Sequence, residues 1–388
     1  MATLMALDQA IGLVLGETDV PGLRIDFNGG LRLQIPTGNW RVIIGDYDSG
    51  EIYFDDNVAE RVLISWEKYY VRWQVEVYLD DERVLAHVVD LKGQKVHLIC
   101  NTARLGDTLT FLPYVKAMRD FYRAEVTYWT FPQYRELAAH LLPQSPLADA
   151  PPEDSYATYY LSAVVELPGL SPFDIRTVPM TQWGQIMLGL PKPAELIWQR
   201  HPKKPRTKSA KKSGQNPYVC IAVQASSVLK GWLYPGGWEA VTDYLRQKGY
   251  RVLCIDKDRE QSAAGVTIRC PEKAEDCTGD ISLVERLRLL SQAEFFVGLS
   301  SGLAWLANIA GCPVVMIAGF TRPWFEFPTP YRVYNRLVCN GCLNDLRSER
   351  HNTVCPRFAP DSEHYLECCA KISPGMVIEA IERLLRSR

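Results

Sequence analysis

From Phe295 to Thr321 the chain runs without one charged side chain, a stretch long enough to span a bilayer. Gly298, Ser300, Ser301, Gly302, Gly311, Pro313 and Gly319 decide against that reading, because they cut the run into short pieces. FFVGL and VVMIAG then read as strands buried on both faces, with LAWLANIAG as the helix between them. An uncharged strand–helix–strand block of this kind is the centre of a parallel α/β sheet, and the remaining segments have to fold around it.

The same rhythm begins near residue 96. VHLIC is a short buried strand, followed by a turn at Asn101 to Asp107 and a helical pattern with Leu109, Leu112, Val115 and Met118 on one face. EVTYWTF reads as the next strand and RELAAHLL as a helix. Residues 201–217, HPKKPRTKSAKKSGQNP, have no apolar periodicity and read as a solvated basic linker. A second half starts at once with YVCIAV, a helix around Trp238 to Arg246, the strand RVLCI, and a helix with Leu283, Leu287 and Leu290 on one face. Two βαβ halves joined by a linker predict two Rossmann-like domains facing each other across a cleft.

Residues 1–95 differ. NWRVIIG, GEIYF and RVLISW are short runs separated by the turn signals NGG and DSG. Tyr69, Val71, Trp73, Val75, Val77 and Leu79 alternate with more polar neighbours, which is the period of a half-buried antiparallel strand. The expectation is a small antiparallel β domain.

Charge and cysteine usage narrow the function. With 43 basic and 45 acidic residues the formal net charge is -2, so no global positive field exists to coat nucleic acid. No basic n-region precedes an apolar run, the first charge being Asp8. Eleven Cys without a secretion signal disfavour a disulfide framework, and a cytoplasmic location is expected.

Ligands of open parallel sheets bind beyond the carboxyl ends of strands, so the turns after VHLIC, YVCIAV and FFVGL are the places to look. In ARLGDTLTFLP, Gly106 permits a tight turn and Asp107 stands where a helix starts, either as its cap or as a general base. In QASSVLKGW, Ser226 and Ser227 offer hydroxyls and Lys230 a positive charge, which suits a phosphate or diphosphate. In GLSSGLAWLA, Ser300, Ser301, Gly302 and Leu303 open a helix whose unpaired N–H groups can receive an anion. None of these turns carries a G-x-G-x-x-G or Walker pattern, so hydride transfer and NTP hydrolysis lack support. A carboxylate, a lysine and an amide nest together fit transfer of a group from a diphosphate-activated donor.

Near the C-terminus stand Cys339, Cys342, Cys355 and Cys368, with Cys369 adjacent to the last. A C-x-x-C pair followed by thiols at intervals of 13 supplies four sulfurs for a tetrahedral ion, either zinc or iron. Gly341 lets the knuckle wrap, and His351 or His364 could replace one ligand. A site closed by four Cys has no open position for substrate, so its role is structural and no catalytic metal is expected.

The motifs ARLGDTLTFLP, Ser-Ser…Lys…Trp and GLSSGLAWLANIAGCPVV resemble those of ADP-heptose-dependent heptosyltransferases, inverting enzymes of the GT-B fold, over roughly residues 96–336. The lipopolysaccharide enzymes carry Asp-Thr-Gly where this chain has Ser300, Ser301 and Gly302, so the carboxylate of that motif is missing here. YYVRWQVEVY and the pattern CNGCLND…CP…EC extend the resemblance, over nearly the whole chain, to the bacterial autotransporter heptosyltransferases. The resemblance implies transfer of heptose from ADP-glycero-manno-heptose to serines of an autotransporter passenger domain. It also implies a cytoplasmic location, one structural iron on four Cys with Cys368 preferred over Cys369, and a large ring-like homo-oligomer resembling a dodecamer. Alternatives are a lipopolysaccharide-core heptosyltransferase and a non-catalytic, metal-dependent interaction protein on the same scaffold. The expected organisation is a β domain at 1–95, an acceptor-side domain at 96–200 and the linker at 201–217. A donor domain at 218–336, a four-cysteine metal finger at 337–372 and a C-terminal helix at 373–388 complete it.

Overall fold

The computed structural model describes residues 14–163, 169–195, 217–263, 266–348 and 354–388. The basic linker, apart from residue 217, and His351 lie outside them. Seven strands come first: β1 (Arg24–Asn28), β2 (Arg32–Ile35), β3 (Trp40–Asp46), β4 (Ile52–Val58), β5 (Arg61–Ile64), β6 (Trp73–Leu79) and β7 (Glu82–Val88). Next are β8 (Lys95–Cys100), α1 (Leu105–Phe111), α2 (Pro113–Tyr122), β9 (Glu125–Thr130), α3 (Arg135–Leu141), β10 (Ala157–Leu161) and α4 (Trp183–Met187). The next stretch holds β11 (Tyr218–Ala222), α5 (Gly237–Gln247), β12 (Arg251–Cys254), the hairpin β13 (Glu260–Ala263) and β14 (Val266–Arg269), and β15 (Glu275–Asp276). Then come α6 (Leu283–Gln292), β16 (Phe296–Leu299), α7 (Gly302–Ile309), β17 (Val314–Ile317), β18 (Arg332–Val333), α8 (Glu367–Ala370) and α9 (Pro374–Arg386).

The chain divides into two compact units: Met1–Ala103, Thr110–Ile175 and Gln182–Ala194 in one, Arg104–Leu109, Arg176–Thr181 and Glu195–Arg388 in the other. In the first, β8, β9 and β10 form a parallel core that continues through β1 into β2 and β5, in the order β5-β2-β1-β10-β8-β9. β1 runs parallel to β10, with Phe27 opposite Ala157, and antiparallel to β2. The second sheet of this unit is antiparallel, β4-β3-β6-β7. A sheet boundary therefore does not fall at residue 95. Alternation along β1 and β2 predicts strands, but it does not say which sheet they join, and three of the first seven extend the α/β sheet. The strand expected from Tyr69 begins at Trp73 instead. Tyr70 turns away, its N–H donating to the Met187 carbonyl at 2.8 Å and its ring packing on Tyr122.

The helical pattern through Leu109 and Met118 is broken by Pro113 into α1 and α2, with Leu109, Leu112, Val115 and Met118 all buried. Proline fits a first helical position because its missing N–H has no partner there.

The second unit holds the parallel sheet β15-β12-β11-β16-β17-β18. Its centre is the uncharged block, resolved as β16, α7 and β17, every strand residue of which is buried. Among the described residues no helix is long and apolar enough to cross a membrane. α6 starts at Ser282, whose hydroxyl accepts the Glu285 N–H at 3.2 Å. α9, capped by Ser373 and opened by Pro374, sends Val377, Ala380, Ile381 and Leu384 into the core with Val315 and Ile317. The C-terminal helix is thus part of the second sheet's packing.

Candidate donor site

The turns that matter lie at the carboxyl ends of β11, β12, β16 and β17, together with residues 104–109, all in the second unit. Gly302 opens α7 so close to the first turn that a Cβ there would stand 2.7 Å from the Leu105 Cβ. A Cβ on Gly106 would meet the Trp305 ring at 3.1 Å and the Gly302 Cα at 3.7 Å. Two glycines thus let the turn carrying Asp107 lie against the turn carrying Ser300 to Leu303. Asp107 sits inside the first turn of α1, two residues past its first residue, and is only 9% exposed.

After β11, Ser227 caps a short 3₁₀ helix, Val228–Lys230, its hydroxyl accepting the Leu229 N–H at 3.2 Å. Lys230 closes that helix and is half-buried. Burial holds its ammonium below the ordinary lysine value; the Asp107 and Glu326 carboxylates oppose this, and Arg104 adds to it. Lys230 therefore lies in the field of two carboxylates, Asp107 and Glu326, and one further cation, Arg104. Trp232, next in the motif, is a core residue: its Nε1 donates to the Ile372 carbonyl at 2.7 Å and its ring packs edge-on against Trp238.

Ser301 is the N-cap residue of α7, yet its hydroxyl makes no cap hydrogen bond and is buried without a protein partner. The ordinary cap role expected of a serine here is absent, which leaves the hydroxyl beside the first-turn amides of α7. Ser300 behaves differently, donating its hydroxyl to the Glu326 carboxylate. Leu303 is half-buried in the first turn. Ser226 is exposed and lines, with Ser227, Val228, Gln261, Val266 and Ile268, a cavity of about 30 Å³. That is room for water, not for a purine base.

Three residues outside the sequence reading complete the site. Asp256, just beyond β12, accepts the Val223 N–H at 2.7 Å and the Gln224 N–H at 3.2 Å, fixing the turn after β11. Burial raises its carboxyl to about 6 against the pull of those bonds. The strand-end rule applied to RVLCI would have found it. Glu326 and Arg332, a buried pair at 2.8 Å, stand in FEFP and YRV, which carry no recognisable spacing.

The cysteine-rich segment packs on the same 3₁₀ helix. Cys342, Cys368 and Cys369 are buried with Val228, Leu229, Phe320 and Leu366, and Cys339 and Cys355 pack against them. Gly341, at φ +67°, is the left-handed residue of the knuckle, and a Cβ there would stand 2.4 Å from Arg322 Nε. Burial, with the neighbouring Cys368, Glu367 and Cys355, pushes the Cys339 thiol up to about 12; burial and the other three cysteines do the same for Cys342. The Cys369 thiol stands 3.7 Å from that of Cys368 and donates to the Leu229 carbonyl at 3.2 Å. His364 faces Glu367 at 3.1 Å through Nδ1, so it is engaged elsewhere than among the thiols. Four thiols in one segment suit a thiophilic ion in their chemistry. Among the described residues, however, no three His, Cys, Asp or Glu side chains are arranged to hold one.

The sequence and fold match known proteins over nearly their whole length. Residues 20–81 match the family model of the glycosyltransferase TibC N-terminal domain, and residues 182–354 that of glycosyltransferase family 9 (heptosyltransferase). The autotransporter heptosyltransferase Aah of Escherichia coli is 35% identical over 94% of this chain and 93% of its own. A relative from Burkholderia thailandensis, the inactive autotransporter heptosyltransferase BimC, is 32% identical over 94% of this chain and 86% of its own. The crystal structure of the iron-containing dodecameric glycosyltransferase TibC from enterotoxigenic E. coli H10407 superposes with a TM-score of 0.86 at 33% identity, covering 96% of this chain and 98% of that one. TibC in complex with ADP-D-β-D-heptose gives 0.85 at the same identity, covering 96% and 97%. E. coli ADP-heptose lipopolysaccharide heptosyltransferase II, 14% identical, shares the fold alone, with a TM-score of 0.50 over 76% of this chain and 99% of that one.

Proposed function

The chain belongs to the autotransporter heptosyltransferases, a GT-B-like glycosyltransferase family, and from that membership we propose that it transfers heptose from ADP-heptose to serine hydroxyls of an autotransporter passenger domain. The observation that carries this reading is Lys230, whose half-buried ammonium lies in the field of Asp107 and Glu326 while Gly106 and Gly302 bring the first and third turns into contact. Asp107 takes the proton as the serine oxygen bonds to the anomeric carbon. The bond from that carbon to the phosphate oxygen breaks on the opposite face, and ADP leaves with the electron pair. Lys230, Ser226, Ser227, the hydroxyl of Ser301 and the amides of Gly302 and Leu303 receive the charge growing on the diphosphate. In this reading Ser300 contributes through its backbone.

Residues 96–200 act as the acceptor side, 218–336 hold the donor and 201–217 link them. The finger at 337–372 holds one structural ion on Cys339, Cys342, Cys355 and Cys368. Iron is favoured because the relative TibC is iron-containing. Such an ion supplies a cross-link between segments separated in sequence. We place the enzyme in the cytoplasm, as a large homo-oligomer like its dodecameric relative. A passenger domain is favoured over a lipopolysaccharide core as acceptor by the match of residues 20–81 to the TibC N-terminal domain.

An inactive relative at 32% identity makes a non-catalytic role the competing reading, and the presence of both Asp107 and Lys230 argues for activity. Intact-mass analysis of a passenger fragment incubated with this protein and ADP-heptose tests it. Increments of one heptose are expected, and their loss in Asp107→Asn with ADP-heptose binding retained. Wild-type transfer by Asp107→Asn removes the base assignment; donor binding with no increment on passenger or core oligosaccharide favours the non-catalytic role.

A further inference from the structure

Glu326 is an anion buried beneath a site that receives an anion, and only 5% of it is exposed. Its Oε1 accepts the Ser300 hydroxyl and the Thr321 hydroxyl, the latter at 2.7 Å, and its Oε2 accepts Arg332 Nη1 at 2.8 Å. Arg332 Nη2 donates to the Thr321 hydroxyl at 2.7 Å and the Thr321 carbonyl at 3.1 Å. The donors come from three places: the residue after β16, the loop after β17, and the first residue of β18. These are consecutive neighbours in one parallel sheet. A carboxylate is the side chain that can take donors on two oxygens at once while neutralising a buried guanidinium.

We propose that Glu326 is a positioning residue for the donor diphosphate, acting through Ser300 and never touching the donor itself. Ser300 immediately precedes Ser301, the N-cap of α7, so holding its side chain sets the direction in which the first-turn amides and the Ser301 hydroxyl point. Anion sites made of amides depend on that presetting, because the dipoles then need no reorganisation when charge arrives. Oε1 takes two donors and Oε2 one, and Arg332 pairs with the carboxylate, so Glu326 is held in place by its own side of the site. Ser300 is thereby a strut, and Ser301 is the serine whose hydroxyl is available. This inference rests on the donor reading above.

Calorimetric titration with ADP tests it on the full chain, with thermal midpoints measured in parallel. Ser300→Ala removes one hydroxyl and leaves the Glu326–Arg332–Thr321 contacts intact. It is expected to weaken ADP binding about tenfold with little change in midpoint. Glu326→Gln is expected to weaken ADP by a similar factor, and the double variant no further than the weaker single one. Should Glu326→Gln fail to fold, Ser300→Ala decides alone. Wild-type ADP affinity in Ser300→Ala, or losses that multiply in the double variant, overturns the positioning role. If the wild-type protein itself does not bind ADP, the donor reading falls first, and this inference with it.

Discussion

At position 97 a histidine sits in the middle of a parallel sheet, fully buried, with Nδ1 on the Thr127 hydroxyl at 2.8 Å and Nε2 without a protein partner. Burial lowers its pKa from 6.5 to about 4, because a charged imidazole there would lose water and gain nothing. The folded chain thus refuses a proton that the unfolded chain accepts. The resulting stability is fully present above the unfolded value of 6.5 and is lost as pH falls through about 4. The sum is on the order of 3 kcal/mol. Urea unfolding followed at pH 7 and at pH 4 should show that loss in the wild type, and a smaller one in His97→Asn, which keeps an acceptor or donor for Thr127 but does not titrate. Equal pH dependence in the two proteins would remove His97 from the account. Asp256, whose carboxyl burial raises to about 6, works in the opposite sense: its contribution is present at low pH and declines as pH rises through about 6. Asp256→Asn should therefore steepen the net acid loss, and the same urea series measures it.

One element scale up, the site depends on how closely two helix starts approach. A Cβ on Gly302 would stand 2.7 Å from the Cβ of Leu105, an atom held by its own backbone, whereas a Cβ on Gly106 would meet only the edge of the Trp305 ring at 3.1 Å. Gly302→Ala must therefore push residues 104–109 away from α7, and such overpacking costs about 1–3 kcal/mol. We expect kcat/KM for transfer to fall at least tenfold in Gly302→Ala and less in Gly106→Ala. Steady-state kinetics and thermal midpoints check the order. The glycines, Asp107 and Lys230 were legible because parallel sheets put ligand-facing turns at strand ends and the strands themselves are plain in the apolar runs. Glu326 and Arg332 were not, because what joins them to Ser300 is the lateral order of β16, β17 and β18, and no spacing along the chain encodes it. Asp256 lay in between: the end of its strand was visible, while its hold on the Val223 and Gln224 amides was not. The four-thiol spacing was visible too, but it does not state that the Cys369 thiol would reach the Leu229 carbonyl while staying 3.7 Å from that of Cys368.

For the whole molecule, the first 95 residues raise the question of what can be removed. Their alternation suggests a module, and residues 20–81 match a domain family of their own. Topology argues otherwise, because β1 pairs with β10 and carries β2 and then β5 beyond it, so the α/β sheet of the first unit has no edge where a module would be cut. Leu23, Ile25, Phe27, Leu31, Leu33 and Ile35 are all buried in that region. Their burial is worth on the order of 10 kcal/mol, comparable with the whole stability of a domain. A chain starting at residue 96 would also leave β10 as a bare, apolar edge, the type of surface that pairs with other chains. We expect that chain to lose amide protection in β8 and β10 while β11, β16 and β17 keep theirs, since the second sheet draws no strand from the deleted part. Hydrogen exchange read out by peptide makes the comparison. Full protection of β8 and β10 in the shortened chain would mean that the N-terminal strands are a detachable module after all. Loss in both sheets would mean that the two units do not fold independently.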